Sequence, residues 1–251
     1  MTAAAAVTNG APYDAVVIGA GLNGLVAAAY LAQAGRRVLV LERRHLVGGT
    51  VVTEEVFPGF RFDTCRHDAG WIPPRIIKDL KLKRHGLELV DVDASVFAPH
   101  PGGGRNDYLL LHHDPQRSAA LIRKHSQADA AKWPAFATRV ARLAGFLKAA
   151  YAHAPPAVDA TSFGDLVSLA SLTTRLRVLG KTEMVELLRT VPMSVGELLD
   201  DWFETDALKG VVGARGVTGI MQGPRSGGTA FVLLHHQVGR PVGAFRAPWA
   251  V

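Results

Sequence analysis

The chain is 251 residues long and contains one cysteine, Cys65. A disulfide framework is thereby excluded, and so is dithiol redox chemistry, which needs two thiols that can pair. Aromatic residues are sparse at 7%, and no nucleic-acid module signature interleaves them with basic residues, so nucleic acid is not an expected partner. Long hydrophobic runs are missing too. The stretch from Ala15 to Ala34 is broken by Gly19, Gly21, Asn23, Gly24 and Gln33, and no segment reaches the roughly 18 uninterrupted apolar residues of a membrane span. The first basic residue is Arg36, which leaves neither the basic start of a secretory signal nor the scattered arginines of a transit peptide. Residues 1–12 read as a flexible tail, and a cytoplasmic location is expected.

What is present is enough for a packed core. Hydrophobic residues make up 48% and charged residues only 20%, with a mean hydropathy of +0.14, so wholesale disorder is excluded. Basic residues exceed acidic ones, 28 − 22 = +6, and this sign favours anionic partners.

The informative segment begins at Tyr13. Ala15 to Ile18 is a short apolar run suited to a buried parallel strand, Leu22 to Ala34 is alanine-rich at helical spacing, and Val38 to Leu41 is a second buried strand. Between the first strand and the helix, Gly19, Gly21 and Gly24 complete a G-x-G-x-x-G pattern. In such a β-α-β unit the first glycine makes the tight turn and the second lets backbone N–H groups approach a pyrophosphate. The third lets the helix pack close to the strand. The helix N-terminus offers partial positive charge to the phosphates. Glu42, at the end of the second strand, can accept both ribose hydroxyls of an adenosine and disfavours a 2′-phosphate. The alternative reading is a β-α-β unit that binds nothing.

Beyond the strand the chain reads E-R-R-H-L-V-G-G-T, Glu42 to Thr50. Glu42, Arg44, Gly48 and Gly49 resemble the pattern of flavoprotein oxidoreductases of the amine-oxidase and phytoene-desaturase type. A glycine pair lets backbone press against the pyrophosphate and ribityl chain of a cofactor, and Arg44 supplies positive charge nearby. NAD-linked Rossmann dehydrogenases have no need of this segment, so the resemblance implies FAD. Thr50 stands where many of these enzymes place an arginine.

The stretches Val51–Asp63, Asp79–Leu89, Leu198–Gly210 and Gly228–Gly239 are similar to the phytoene-dehydrogenase-like FAD-dependent oxidoreductases. The family pattern continues past Val251, so the resemblance implies a truncated chain, the N-terminal half of the family fold, with a complementing C-terminal half chain as an expected partner.

Downstream, Phe60–Thr64, Leu87–Val92 and Tyr108–Leu111 read as strands, with a glycine turn over Pro101–Asn106. Pro73 to His85 carries five Lys or Arg residues and places Ile76, Ile77 and Leu80 on one helical face. A solvated basic face is one reading of it and peripheral membrane contact another. Helices are expected over 119–125, 128–152, 163–170, 174–189 and 195–203, the last opened by a Ser194 and Glu197 capping box. They fit a substrate cap or a plain bundle equally well. The adjacent pairs His112–His113 and His235–His236 point in divergent directions, so no metal site is expected.

The expected fold class is α/β. An incomplete Rossmann-like FAD/NAD(P)-binding β-α-β domain over 13–75 leads into a mixed segment over 76–114 and a mainly helical substrate or cap region over 115–251. The expected activity is hydride removal from an apolar or lipid-like small molecule by an FAD-dependent oxidoreductase. No catalytic side chain is assigned, because a flavin accepts the hydride itself. The alternatives are a catalytically inert dinucleotide-binding or scaffold fragment and an NAD-dependent dehydrogenase.

Overall fold

The computed structural model describes residues 12–63, 65, 72–91, 93–100, 104, 107–153, 155, 157, 159, 162–238 and 248–250. They fall into two compact units that divide between Leu89 and Val90, with Ala250 grouped in the first.

The first unit opens with β1 (Ala15–Ile18), α1 (Leu22–Gln33) and β2 (Val38–Leu41). The two strands pair in parallel, from Ala15 opposite Val38 to Ile18 opposite Leu41. Alanines favour the helix, and Gly35 ends it at φ 78°. The Gly35 N–H donates to the Ala32 carbonyl and the Arg36 N–H to the Leu31 carbonyl, each at 3.0 Å, the paired bonds that satisfy a helix C-terminus and turn the chain sharply into the next strand. β3 (Thr53–Phe57) and β4 (Phe60–Asp63) form an antiparallel hairpin. α2 (Pro74–Asp79) is tied to α1 by the Tyr30 hydroxyl, which donates to Asp79 at 2.9 Å. β5 (Leu89–Asp91) runs across the division between the units.

The second unit contains the hairpin of β6 (Ala94–Pro99) and β7 (Tyr108–His112). Helices follow: α3 (Pro115–Ile122), α4 (Gln127–Tyr151), α5 (Phe163–Val178), α6 (Lys181–Thr190), α7 (Val195–Trp202), α8 (Asp206–Val217) and α9 (Thr229–Gln237). A short strand β8 (Pro248–Ala250) closes the described chain. Side chains set the helix starts. Asp114, Ser126, Ser162 and Ser194 each accept a backbone N–H of the first turn, and the capping box of Ser194 and Glu197 forms as expected, with the Glu197 carboxylate accepting the Ser194 N–H at 3.0 Å.

The core of this unit is aromatic at its centre. Trp133 and Phe136 on α4 are each 1% exposed, and the Phe203 ring meets Phe136 edge-on at 4.9 Å between centroids. Such rings bury large apolar areas and gain further from tilted packing. Asp129 is buried beside them and accepts the backbone N–H groups of Glu204 and Thr205 at 2.8 and 3.0 Å, as well as the Thr205 hydroxyl. One carboxylate thus ties the start of α4 to the start of α8 and satisfies donors that burial would otherwise leave unpaired.

Several elements differ from the sequence expectation. α5 runs unbroken through residues 171–173, where the spacing suggests a gap. The basic segment after Pro73 is two pieces, because Lys81 takes a left-handed backbone conformation (φ 51°) between α2 and a short helical turn at Leu82–His85. Strands β3 and β6 and helices α8 and α9 fall outside the expected elements. The turn expected at Pro101–Asn106 lies, apart from Gly104, outside the described residues, although the strands flanking it do pair antiparallel.

Candidate dinucleotide site

The three glycines of the first turn do three different things. Gly19 has φ 95°, a conformation side chains resist, and its N–H donates to the Leu41 carbonyl at 2.7 Å, so the turn starts while still tied to β2. Gly24 sits where α1 crosses the strand. A Cβ there would lie 2.4 Å from the Gly19 carbonyl oxygen and 3.3 Å from Val17 Cγ1, so this position sets the closeness of helix and strand. Gly21 is different. Its backbone is extended (φ −74°, ψ 172°), and a Cβ would meet nothing nearer than the Gly49 Cα at 4.0 Å. Space is kept open at the N-terminus of α1, where Gly21 offers no side-chain cap.

The second glycine pair closes on the first turn. Gly21 and Gly48 form a parallel bridge, and the Gly48 N–H donates to the Ala20 carbonyl at 2.7 Å. Gly49 has φ 62°, and a Cβ on it would lie 2.9 Å from the Gly21 Cα. Two backbone segments therefore touch at a distance only glycine permits.

Glu42 holds the arrangement from the side. One carboxylate oxygen accepts the Ala20 N–H at 2.7 Å and the other accepts the Arg44 N–H at 2.9 Å. The Arg44 N–H and then the Ala20 N–H hold the carboxyl below the usual glutamate range. Sequence reasoning aims Glu42 only at a ribose. The structure adds that it clamps the turn, and each oxygen keeps a second lone pair for an incoming hydroxyl.

Arg44 also departs from the expectation. Its guanidinium pairs with Glu54 of β3 at 2.6 Å, and the Glu54 carboxylate strengthens its hold on the proton, so its positive charge is already matched. Glu54 and the Ala20 backbone are the participants that the sequence does not reveal. Gly19, Gly21, Gly24, Glu42, Gly48 and Gly49 come together in one place, and Arg44 flanks them. Among the described residues no group of three or more His, Cys, Asp or Glu side chains is placed to hold a metal, and no helix is long and apolar enough to cross a membrane.

Comparison with known proteins agrees with this geometry. The family of NAD(P)-binding Rossmann-like domains matches residues 17–72, the segment that contains the three-glycine turn, the Gly48–Gly49 pair and Glu42. Pyridine nucleotide-disulfide oxidoreductase domain-containing protein 2 of Rattus norvegicus is 36% identical over 237 residues, which is 90% of this chain and 41% of that protein. The chain is a homologue of that oxidoreductase-domain protein. It spans about two fifths of the relative's length. A limonene dehydrogenase subunit of Castellaniella defragrans is 44% identical over 125 residues, 48% of this chain and 21% of its own. A solved structure of putrescine oxidase superposes with a TM-score of 0.53 at 15% identity, covering 95% of this chain and 46% of that one, a likeness that shows the fold alone.

Proposed function

We propose that the chain carries the adenine-dinucleotide half of an FAD-dependent oxidoreductase that removes hydride from an apolar, lipid-like substrate. The observation that carries this reading is the contact of Gly21 with Gly48 and Gly49, because a lone glycine turn needs no second glycine segment against it. In this reading Gly19, Gly21, Gly48 and Gly49 leave backbone free to face a pyrophosphate at the N-terminus of α1. Glu42 receives the ribose hydroxyls while it keeps the turn closed, and Arg44 with Glu54 forms a neutral wall beside them. Bound flavin supplies the hydride-accepting ring, and no side chain of this chain is assigned to the chemistry. The apolar substrate class draws support from the limonene dehydrogenase relative, whose name specifies a hydrocarbon.

One face of the β1–β2 sheet bears on the same reading. Val17 faces α1, so Val16 and Ile18 point the other way, and Ile18 is 88% exposed. Parallel strands this apolar are normally covered on both faces, which supports a complementing segment of a longer FAD domain as the partner of this face.

The test is titration of the nucleotide-free chain with FAD, ADP and NAD. FAD and ADP are expected to compete for one site, and NAD to bind at least tenfold more weakly than FAD. Preference for NAD would move the assignment to a nicotinamide enzyme, and binding of none of the three would leave an inert scaffold.

A further inference from the structure

The second unit encloses a partly open cavity of about 110 Å3 between the β6–β7 hairpin and helices α3 and α8. Its walls are Ala98 and Pro99 of β6, Leu109 of β7, Ile122 of α3, and Leu208 and Val211 of α8. Ile122 and Leu208 are 1% and 2% exposed, so the inner surface is part of the packed interior.

Three residues around the cavity carry polar atoms, and the structure engages each elsewhere. The Thr205 hydroxyl donates to Asp129. His125 Nε2 lies 3.4 Å from the Tyr108 carbonyl oxygen. His100 Nδ1 faces the Asp107 carboxylate at 3.7 Å. The second ring nitrogens of the two histidines aside, the lining is hydrocarbon almost throughout. A water held there needs two to four polar partners, which this lining does not supply. Interiors pack closely, and an unfilled apolar space of this kind costs stability in proportion to its volume. A hydrocarbon guest recovers the missing contacts and pays no desolvation penalty for polar groups.

We propose that this cavity is a binding site for the hydrocarbon end of an apolar ligand. Benzene fills an engineered apolar cavity of about 150 Å3 in another protein, so the space here suits a group of about four to five carbons. The site disfavours polar ends by chemistry rather than by size: a hydroxyl pushed into it would lose its water against a lining that is almost wholly apolar. The inference stands on the second unit alone and does not depend on the dinucleotide reading.

Saturation-transfer NMR on the full chain without nucleotide tests it, with 2-methylbut-2-ene as the probe and 2-methylbutan-2-ol as its hydroxylated counterpart. Ala98→Leu and Ala207→Leu each add side-chain carbon to the lining from a different element without removing any packed group. The expected result is alkene binding at least tenfold stronger than that of the alcohol. Either filled variant should weaken alkene binding tenfold or more while keeping its thermal midpoint at or above that of the parent. Should one variant fail to fold, the other decides. Absence of alkene binding, equal binding of the alcohol, or full alkene affinity in a folded variant would overturn the proposal.

Discussion

The two units differ in how deeply they pack: both expose large apolar side chains, Phe163 and Val178 of the second being 83% and 81% exposed, but the second also has a buried aromatic centre. In the second, Trp133, Phe136, Leu233 and Leu234 are at most 1% exposed, and helices cover one another on several sides. In the first, Ala20, Ala28 and Val52 are the buried hydrophobic residues among those described, while Val16, Ile18, Leu41, Phe57, Phe60 and Phe62 are each about half exposed or more. Both units are rich in apolar residues, so composition does not separate them. The difference is in what the elements face. Helices α4, α7, α8 and α9 bury apolar stripes against one another, whereas a two-stranded parallel sheet has two faces and α1 covers only one. The second unit is organised around packed side chains, and the first around a backbone geometry.

This contrast sets the order of expected effects. Trp133→Ala should be the most damaging, lowering the unfolding free energy of the second unit by about 3–5 kcal/mol, as read by urea denaturation; a loss below about 1 kcal/mol would mean that the aromatic centre is not what holds that unit. Next, Gly24→Ala places a Cβ against the Gly19 carbonyl oxygen at 2.4 Å. Backbone cannot yield there as a flexible side chain would, and overpacking of this kind costs about 1–3 kcal/mol. The exchange protection of amides in α1 and β2 should fall while that of α4 and α9 stays, a pattern that whole-molecule destabilisation would not give.

The Glu42 clamp makes the first unit pH-sensitive. Its carboxyl titrates below the ordinary glutamate value when folded, first because of the Arg44 N–H and then the Ala20 N–H. The bonds it makes therefore favour the folded turn above the unfolded value, and that contribution disappears as pH falls through the lowered folded value. Amide chemical shifts of Ala20 and Arg44 should move together below about pH 4.3, the ordinary glutamate value. Movement centred above that value would contradict the clamp. The smallest effect belongs to Ile18→Ser: at 88% exposure, the substitution should change stability of the chain by no more than about 0.5 kcal/mol. A much larger loss in denaturation would show that this face is covered in solution.

How much of this was legible in the sequence depends on where each signal resides. β1, α1 and β2 could be bounded closely because apolar runs there are separated by glycines and polar residues with fixed roles. α8 could not. Its sequence contains Gly210, Gly213 and Gly216, poor helix formers that weaken the helical signal, but a Cβ at Gly216 would lie 2.8 Å from Val195 Cβ and 2.9 Å from the Thr229 carbonyl oxygen. The glycine is there for close packing between helices, which leaves no mark in a single sequence. α9 hides for the opposite reason, since Ala230, Leu233, Leu234 and Gln237 are all buried and a helix covered on most sides lacks a polar stripe. In the candidate site, the glycines and Glu42 were visible as a pattern. Ala20 was not, because it takes part through its backbone, and Glu54 was not, because its pairing with Arg44 depends on where β3 returns.

The most direct measurement of the central claim is the affinity of Gly21→Val for ADP and FAD, set beside its unfolding midpoint. A Cβ at this position meets nothing among the described residues closer than 4.0 Å, so the loss of stability should be that of an apolar residue at a helix N-cap, about 1 kcal/mol. The added methyl groups nonetheless occupy the space assigned to the pyrophosphate, and affinity for both nucleotides should drop at least tenfold, about 1.4 kcal/mol. Undiminished nucleotide binding by the folded Gly21→Val protein would contradict the assignment of this glycine-lined turn as the dinucleotide site.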